Sequence, residues 1–258
     1  MTMQHILPAV LAAVFALSAV PAQAEMKNQW VDYSHGDTKL KAYMAYDDKI
    51  PGRRPAVLVA HARSGMSPQT LKLTEIWAKL GYVSFAADIF GYGQGVLPKN
   101  VEEMTAQTTI YSKDRELLKA RMKTGYDALL KSPMVDPAKV ALIGYCFGGM
   151  VGVEFGSTGV PLVANVSIHG SFRDHAPGWA KNAKGMFLIL HGAEDEGYPL
   201  SVVDKVIQEL RAAKVPFQYE VYSGTAHGFS DPKNKAEERA NAQSIASTAR
   251  TLKELFGI

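Results

Sequence analysis

A single cysteine lies between two apolar segments, in the pattern Gly144-x-Cys146-x-Gly148. Residues 140–143, just before it, are predicted to form a buried strand, and a helix is predicted from about Met150. Glycines two positions before and after the cysteine allow a strand and a helix to pack closely around a sharp turn. This is the pattern of a nucleophile elbow, which exposes its central side chain at the end of a sheet. A thiol there lies at a helix N-terminus, which favours the thiolate.

Cys146 is the only cysteine among the 258 residues, so no disulfide can form within the chain. A cysteine in an apolar stretch is commonly an inert, buried side chain, and this is the alternative to a nucleophile. An unpaired thiol is prone to unwanted oxidation in an oxidising compartment, so the presence of one in an exported protein favours a chemical role for it.

A thiol nucleophile needs a base, and the base needs an acceptor that orients it. In an open α/β sheet such groups lie on loops at the carboxyl ends of the strands, where the elbow also opens. Two such loops are suitable, and each follows a predicted strand. One carries the acidic run Glu194-Asp195-Glu196 and the other carries His227. The chain order of nucleophile, acid and histidine is that of the α/β-hydrolases.

Strand and helix patterns alternate along the rest of the chain. Alternating apolar and polar residues at 30–34 and 39–46 predict a hairpin. The other predicted strands are 56–60, 82–87, 140–143, 162–168, 186–190 and 217–222, and the predicted helices are 71–80, 101–109, 113–130, 200–213 and 237–256. This alternation predicts one α/β domain over residues 25–258. Its sheet has about eight strands and is mostly parallel, with helices on both faces and the antiparallel hairpin at one edge.

The first 24 residues differ from the rest of the chain. Residues 6–20 are apolar and rich in alanine, and Ala22-Gln23-Ala24 matches a cleavage site, although no Lys or Arg precedes the apolar part. We expect a signal peptide cleaved after Ala24 and a periplasmic or secreted mature chain. An N-terminal core helix is the alternative. The segment is too short for a comfortable membrane span, so stable membrane insertion is not expected.

The composition is that of an ordinary globular protein, with 47% hydrophobic residues, 21% charged residues and a net charge of +3. No basic stripe interleaved with aromatic residues indicates nucleic-acid binding. No cofactor fingerprint is present. His61, His169 and His191 follow or end predicted strands, but they lack the tight spacing of metal ligands, so no metal is expected. The sequence leaves the oligomeric state open.

The sequence resembles the dienelactone hydrolase family of α/β-hydrolases from about Val31 to the C-terminus. The resemblance lies in the elbow at 144–149, the acidic loop at 192–199 and the histidine segment at 226–229. It selects Asp195 over its acidic neighbours, because the family's acid stands four residues before a proline. It implies an α/β-hydrolase fold that hydrolyses carboxylic esters or lactones without a cofactor.

On this basis Cys146 is expected to attack the carbonyl of a small ester or lactone and form a thioester. His227 would serve as base and then as acid, oriented by the acidic residue. The oxyanion hole is expected from the main-chain N–H of Phe147 and from that of Ala62 or Arg63.

Two departures from the family pattern bear on the substrate. The family has a glutamate next to the resting thiol, and Ala62 stands at that position here. The family's two arginines for the substrate carboxylate correspond to Tyr92 and Asp231. The anionic dienelactone is therefore not expected as a substrate, although Arg63 could supply a replacement charge.

Side chains on loops at the same end of the sheet are predicted to line the pocket, with ordinary packing as the alternative for each. They are Tyr92, Tyr145, Phe147, His169, Trp179 and Tyr198.

Two other functions are consistent with the fold. One is a small-molecule binding protein without turnover, which the intact Cys, Asp and His set disfavours. The other is a thiol redox protein, which the absence of a second cysteine disfavours.

Overall fold

Eight strands form one sheet in the computed structural model, which describes residues 25–258. The strands are β1 (Met26–His35), β2 (Thr38–Asp47), β3 (Arg54–Ala60), β4 (Val83–Ala87), β5 (Val135–Tyr145), β6 (Ala164–Ile168), β7 (Met186–Gly192) and β8 (Phe217–Tyr222). They lie across the sheet in the order β1-β2-β4-β3-β5-β6-β7-β8. The expected signal peptide, residues 1–24, lies outside the described residues.

The sheet is mostly parallel with an antiparallel hairpin at one edge, which confirms the predicted fold class. β1 pairs with β2, and β2 with β4, in antiparallel directions, whereas the pairs from β4 through β8 are parallel. The chain moves outward from β3 to β4 on one side and from β5 to β8 on the other. The crevice at the carboxyl ends of β3 and β5 is therefore the topological switch point, where ligands bind in open α/β sheets.

Six helices cover the two faces of the sheet. They are α1 (Pro68–Lys79), α2 (Val101–Lys113), α3 (Arg115–Leu130), α4 (Phe147–Gly156), α5 (Leu200–Ala212) and α6 (Lys235–Phe256). Single 3₁₀ turns at Tyr92–Gln94 and Trp179–Asn182 were not predicted. No helix among residues 25–258 combines the length and apolar character needed to cross a bilayer.

Alternation along the strands builds a core on each side of the sheet. In β3, Leu58 packs into the layer with α3 and α4, whereas Val57 and Val59 pack into the layer with α1 and α6. Burial of one such side chain contributes about 1.5–3 kcal/mol. A strand covered on both faces is apolar at every position, which is why β3 is a continuous hydrophobic run.

The strand β5 is longer than the predicted 140–143. Its pairing with β3 changes register between Arg54 and Ala56, and Pro137 lies in this irregular stretch. A proline lacks the N–H that a regular ladder needs, so it is tolerated where the pairing is interrupted. Proline at this position therefore does not end the strand.

Helix α4 begins at Phe147, three residues before the predicted start at Met150. Gly148 and Gly149 in its first turn weaken the helical signal, because glycine is a poor helix former. All ten residues of α4 are buried, so packing rather than propensity stabilises this helix.

Candidate active site

Cys146 occupies the sharp turn between β5 and α4. Its backbone has φ 53° and ψ −115°, a conformation with positive φ that is strained for a residue with a side chain. Three main-chain hydrogen bonds hold the turn. The N–H of Cys146 donates to Ile168 O at 3.2 Å, and the carbonyl of Cys146 accepts from Gly149 and Ser171, each at 2.9 Å. The strained geometry is therefore supported from β6 and from the loop that follows β6.

The glycines of the elbow are required by close backbone packing. A β-carbon on Gly144 would collide with the carbonyl oxygen of Gly148, and one on Gly148 would collide with the carbonyl oxygen of Ala60. The first turn of α4 thus lies directly against the end of β5 and the end of β3. This confirms the expected reason for the Gly-x-Cys-x-Gly spacing.

Asp195 and His227 lie on the loops after β7 and β8 and contact each other. The Nδ1 of His227 is 2.7 Å from Oδ2 of Asp195. An ionised carboxylate only accepts, so Nδ1 carries the proton and donates. The other oxygen of Asp195 accepts from the N–H of Tyr198 at 3.0 Å.

Burial distinguishes Asp195 from the acidic residues beside it. Asp195 is 2% exposed, whereas Glu194 and Glu196 are exposed to solvent. Glu194 instead accepts a hydrogen bond from the N–H of Gly224 at 3.1 Å. The structure therefore places Asp195, and neither neighbour, against His227.

The thiol of Cys146 and the imidazole of His227 favour each other's charged forms. Burial raises the pKa of the Cys146 thiol, but a hydrogen bond to His227 and its charge outweigh burial and hold that pKa below the ordinary value. Burial would lower the pKa of His227, but hydrogen bonds to Asp195 and Cys146 raise it to about 9. Both shifts favour the ion pair of a thiolate and an imidazolium over the neutral pair.

Arg63 and Phe147, two of the residues predicted to form an oxyanion hole, both line the cleft that contains the thiol. The N–H of Arg63, on the loop after β3, lowers the pKa of the Cys146 thiol. Phe147 is the first residue of α4, where a helix leaves its N–H groups without an intrahelical acceptor. Ala62 is partly buried and brings no acid to the thiol. Arg63 is thus the better placed of the two alternatives.

A cleft of about 560 Å³ opens above Cys146. Phe147 and Met150 from α4 line the cleft, and so does Tyr198 from the acidic loop after β7. The opposite wall is formed by α2 and the start of α3, including three threonines that the sequence did not single out: Thr105, Thr108 and Thr109. Of the predicted pocket residues, Phe147 and Tyr198 line this cleft.

The cleft carries more positive than negative charge. Arg63, Lys113, Arg115 and Arg173 line it, and Asp174 is the one acidic side chain among the lining residues. Arg115 forms an ion pair with Glu154 at 3.5 Å. Arg173 lies over the ring of Tyr198, with 4.9 Å from its guanidinium carbon to the ring centre. Cations thus reach the cleft from positions other than those that the family resemblance suggested.

Two predicted pocket residues pack in the interior instead. Tyr145 is 2% exposed, and its hydroxyl accepts from Nε1 of Trp77 at 3.1 Å. It faces α1 because adjacent strand residues point to opposite faces of a sheet. Trp179 packs on Phe187, with 5.5 Å between ring centres, and lines a separate cavity against α5. Neither side chain is among the residues that line the cleft above Cys146.

Tyr92 and His169 also lie outside the cleft lining. Tyr92 stacks on Trp30 at 5.0 Å, because β4 neighbours the hairpin and the loop after β4 folds back over it. His169 is 2% exposed, and its Nε2 lies 2.7 Å from Oγ of Ser230. The centres of the His169 and His227 rings are 5.2 Å apart, and the two rings pack edge to face.

His61 and His191, the other two histidines at strand ends, have hydrogen-bond partners in the main chain. Nδ1 of His61 donates to Ala62 O at 2.8 Å, and Nε2 of His191 donates to Tyr198 O at 2.7 Å. Within residues 25–258, no three His, Cys, Asp or Glu side chains converge as metal ligands would.

The family model described as "Dienelactone hydrolase family" matches residues 40–256 of the chain. The protein belongs to the dienelactone hydrolase family. It is an ester or lactone hydrolase of that type.

Solved structures and a curated relative agree with this assignment. A dienelactone hydrolase-like promiscuous phosphotriesterase from metagenomic libraries is 30% identical, with a TM-score of 0.83 over 90% of this chain and 99% of that chain. The structure titled m3DLH is 29% identical, with a TM-score of 0.84 and the same coverage, 90% and 99%. The carboxymethylenebutenolidase homolog of Mus musculus is 26% identical, over 83% of this chain and 86% of that protein.

We expect Cys146 to be alkylated faster at low pH than an ordinary thiol. Its pKa is lowered, so the iodoacetamide rate should reach half its maximum below about pH 8.5, the value of a free cysteine. The assay reports Cys146 alone, because the chain has one cysteine. In His227→Gln the cation is lost and the midpoint should rise. Equal midpoints in the two proteins would contradict the ion pair.

Proposed function

We propose that the protein hydrolyses esters or lactones with Cys146 as nucleophile, His227 as acid and base, and Asp195 as the residue that orients His227. The observation that carries this proposal is the position of His227. It donates to the buried carboxylate on one side, at 2.7 Å, and on the other side its interaction with the thiol of the strained elbow raises its pKa.

The chemistry begins from the ion pair. The Cys146 thiolate attacks the carbonyl carbon, and the developing oxyanion accepts hydrogen bonds from the N–H groups of Phe147 and Arg63. The His227 imidazolium then donates its Nε2 proton to the leaving alkoxide, which departs and leaves a thioester on the sulfur.

Hydrolysis of the thioester reverses these roles. The now neutral His227 takes a proton from water, and the resulting hydroxide attacks the acyl carbon. The acid is released as the C–S bond breaks and the thiolate is restored beside the imidazolium. Asp195 keeps the Nδ1 proton in place throughout, so that Nε2 is the atom that exchanges protons.

Replacement of the nucleophile or the base should abolish turnover of p-nitrophenyl acetate. We expect Cys146→Ala and His227→Gln to lower kcat/KM by at least about 10³-fold, because the groups act as a unit. His35→Gln, a histidine of β1 outside the site, is the matched control and should hydrolyse normally. Acid-quenched protein should carry one acyl group on Cys146.

The same variants distinguish the rival functions. Full turnover by Cys146→Ala would rule out the thiol as nucleophile. No turnover of any activated ester by the parent would favour the binding protein. No turnover combined with conversion of Cys146 to sulfenic acid by mild peroxide would favour the redox protein.

We further propose that the substrate carries a negative charge near the scissile bond. Arg63, Arg173 and Lys113 face the same cleft as the thiolate. A cleft lined by one sign of charge concentrates ligands of the opposite sign and attracts them over a distance set by the salt concentration. The sequence disfavoured the anionic dienelactone because Tyr92 and Asp231 stand at the family's arginine positions, whereas these cations come from other segments.

Two esters of equal chain length test the charge preference, the mono-p-nitrophenyl ester of adipic acid and p-nitrophenyl hexanoate. We expect kcat/KM to be about tenfold higher for the anionic ester at low salt, and this ratio should fall as salt is added. Arg173→Gln should reduce the ratio, whereas Arg239→Gln, an exposed cation of α6, should leave it unchanged. A salt-independent ratio near one would refute the preference.

We propose that residues 1–24 direct export and are removed, because an apolar segment precedes an Ala-x-Ala pattern. In a Gram-negative host, the full chain should yield a periplasmic product whose first residue is Glu25. A version that starts at residue 25 after an initiator methionine should remain in the cytoplasm. An uncleaved cytoplasmic product from the full chain would contradict export.

A further inference from the structure

The hydroxyl of Ser171 lies against the thiol of Cys146. Ser171 Oγ and Cys146 Sγ are 3.5 Å apart, a distance that suits the large radius of sulfur. Ser171 is 7% exposed, and the thiol is the hydrogen-bond partner of its hydroxyl among the described residues. Sequence reasoning did not single out this serine, whose only signal is its place just after a predicted strand.

Close backbone packing fixes Ser171 in this place. A β-carbon on Gly149 would collide with Cα of Gly170, so the absence of side chains lets the loop after β6 lie on the first turn of α4. The N–H of Ser171 then donates to the carbonyl of Cys146 at 2.9 Å. The main chain of Ser171 is thereby bound to the residue whose sulfur its side chain touches.

The direction of the hydrogen bond follows from the charge of the sulfur. A thiolate can only accept a hydrogen bond, so the Ser171 hydroxyl donates a hydrogen bond to Sγ. This hydrogen bond favours the ionised form of Cys146. The main-chain N–H of Arg63, on the loop after β3, also lowers the pKa of this thiol. Together with His227, three donors from three different loops surround the thiolate.

We propose that Ser171 is a further catalytic residue, whose hydroxyl, with the Arg63 N–H, keeps Cys146 ionised before the substrate binds. This inference rests on the proposed role of Cys146 as nucleophile. Ser171 also stabilises the sulfur when the thiolate leaves the acyl group at the end of the cycle. No carboxylate is required beside the thiol, which fits the presence of alanine at position 62.

The charged groups around the cleft that contains the sulfur come from several elements, and none of them is substituted in the test below. They are His227 after β8, the side chains of Arg63 and Arg173, Lys113 and Arg115 at the junction of α2 and α3, and Asp174. A change seen on replacing Ser171 therefore reports its hydroxyl.

The test compares iodoacetamide alkylation of Cys146 across pH in four proteins: the parent, Ser171→Ala, Ser171→Thr and Ser167→Ala. Loss of one hydrogen bond to a charged group should raise the Ser171→Ala midpoint by about one pH unit. Ser171→Thr keeps the hydroxyl and should restore the parent midpoint. Ser167 is a buried serine four residues earlier whose hydroxyl has no hydrogen-bond partner within residues 25–258, so Ser167→Ala should leave the midpoint unchanged.

An unmoved midpoint in Ser171→Ala, or an equal shift in Ser167→Ala, would overturn the proposal. Alanine is smaller than serine, so the variant introduces no clash, and its thermal unfolding is recorded beside the alkylation.

Hydrolysis of p-nitrophenyl acetate gives a second measurement. In Ser171→Ala the acid limb of the kcat/KM profile should move to higher pH by the same amount as the alkylation midpoint. The plateau at higher pH should change little, because the thiolate forms there without help. A lower plateau with an unmoved acid limb would show a merely structural role and overturn the proposal.

The two proposals fail in different ways. Alkylation requires no turnover, so a shift in the Ser171→Ala midpoint supports the hydrogen bond even if Cys146→Ala still hydrolyses esters. That combination would refute Cys146 as nucleophile and hence the catalytic part of the inference. Loss of turnover in Cys146→Ala with no shift in Ser171→Ala would refute only the role of Ser171.

Discussion

The strained turn at Cys146 is the constraint on which the site depends. A residue with a side chain is held at φ 53° because three backbones meet around it: the end of β5, the start of α4 and the loop after β6. Those contacts are possible only where glycines stand, at Gly144, Gly148 and Gly149. The strain persists because the surrounding packing determines the conformation more strongly than the residue's own preference.

The electrostatics of the site depend on a difference between three neighbouring histidines: the protonated form is favoured for His227 and the neutral form for His169 and His191. Burial and the charge of His227 hold the pKa of His169 well below its ordinary value, and burial lowers the pKa of His191. Burial would raise the pKa of Asp195, but its hydrogen bond with His227 holds it down. The positive charge is therefore localised on His227, between the carboxylate and the thiol.

The cleft around this centre is assembled from segments far apart in the sequence. The loops after β3 and β6 and the junction of α2 and α3 each place a cation near the thiolate. They meet there because β3 and β5 flank the topological switch point, at which loops on both sides of the sheet converge. A positive cleft also favours the thiolate, so the charge that would attract an anionic substrate also favours the ionised form of the proposed nucleophile.

The sequence by itself determined the alternation of strands and helices, the edge hairpin and the order of Cys146, Asp195 and His227 on three loops. These features follow from local periodicity and from the rule that strand ends of a parallel sheet share an edge. The family resemblance singled out Asp195, and burial in the tertiary structure separates it physically from Glu194 and Glu196.

Only the tertiary structure decided which side chains face the cleft. Tyr145 is next to the cysteine in sequence but points to the opposite face of the sheet, and Tyr92 turns toward the hairpin. Ser171 and Arg173 reach the site instead, because close packing of the loop after β6 sets their direction. The direction in which a loop side chain points depends on contacts between segments distant in sequence. Local residue patterns do not predict those contacts.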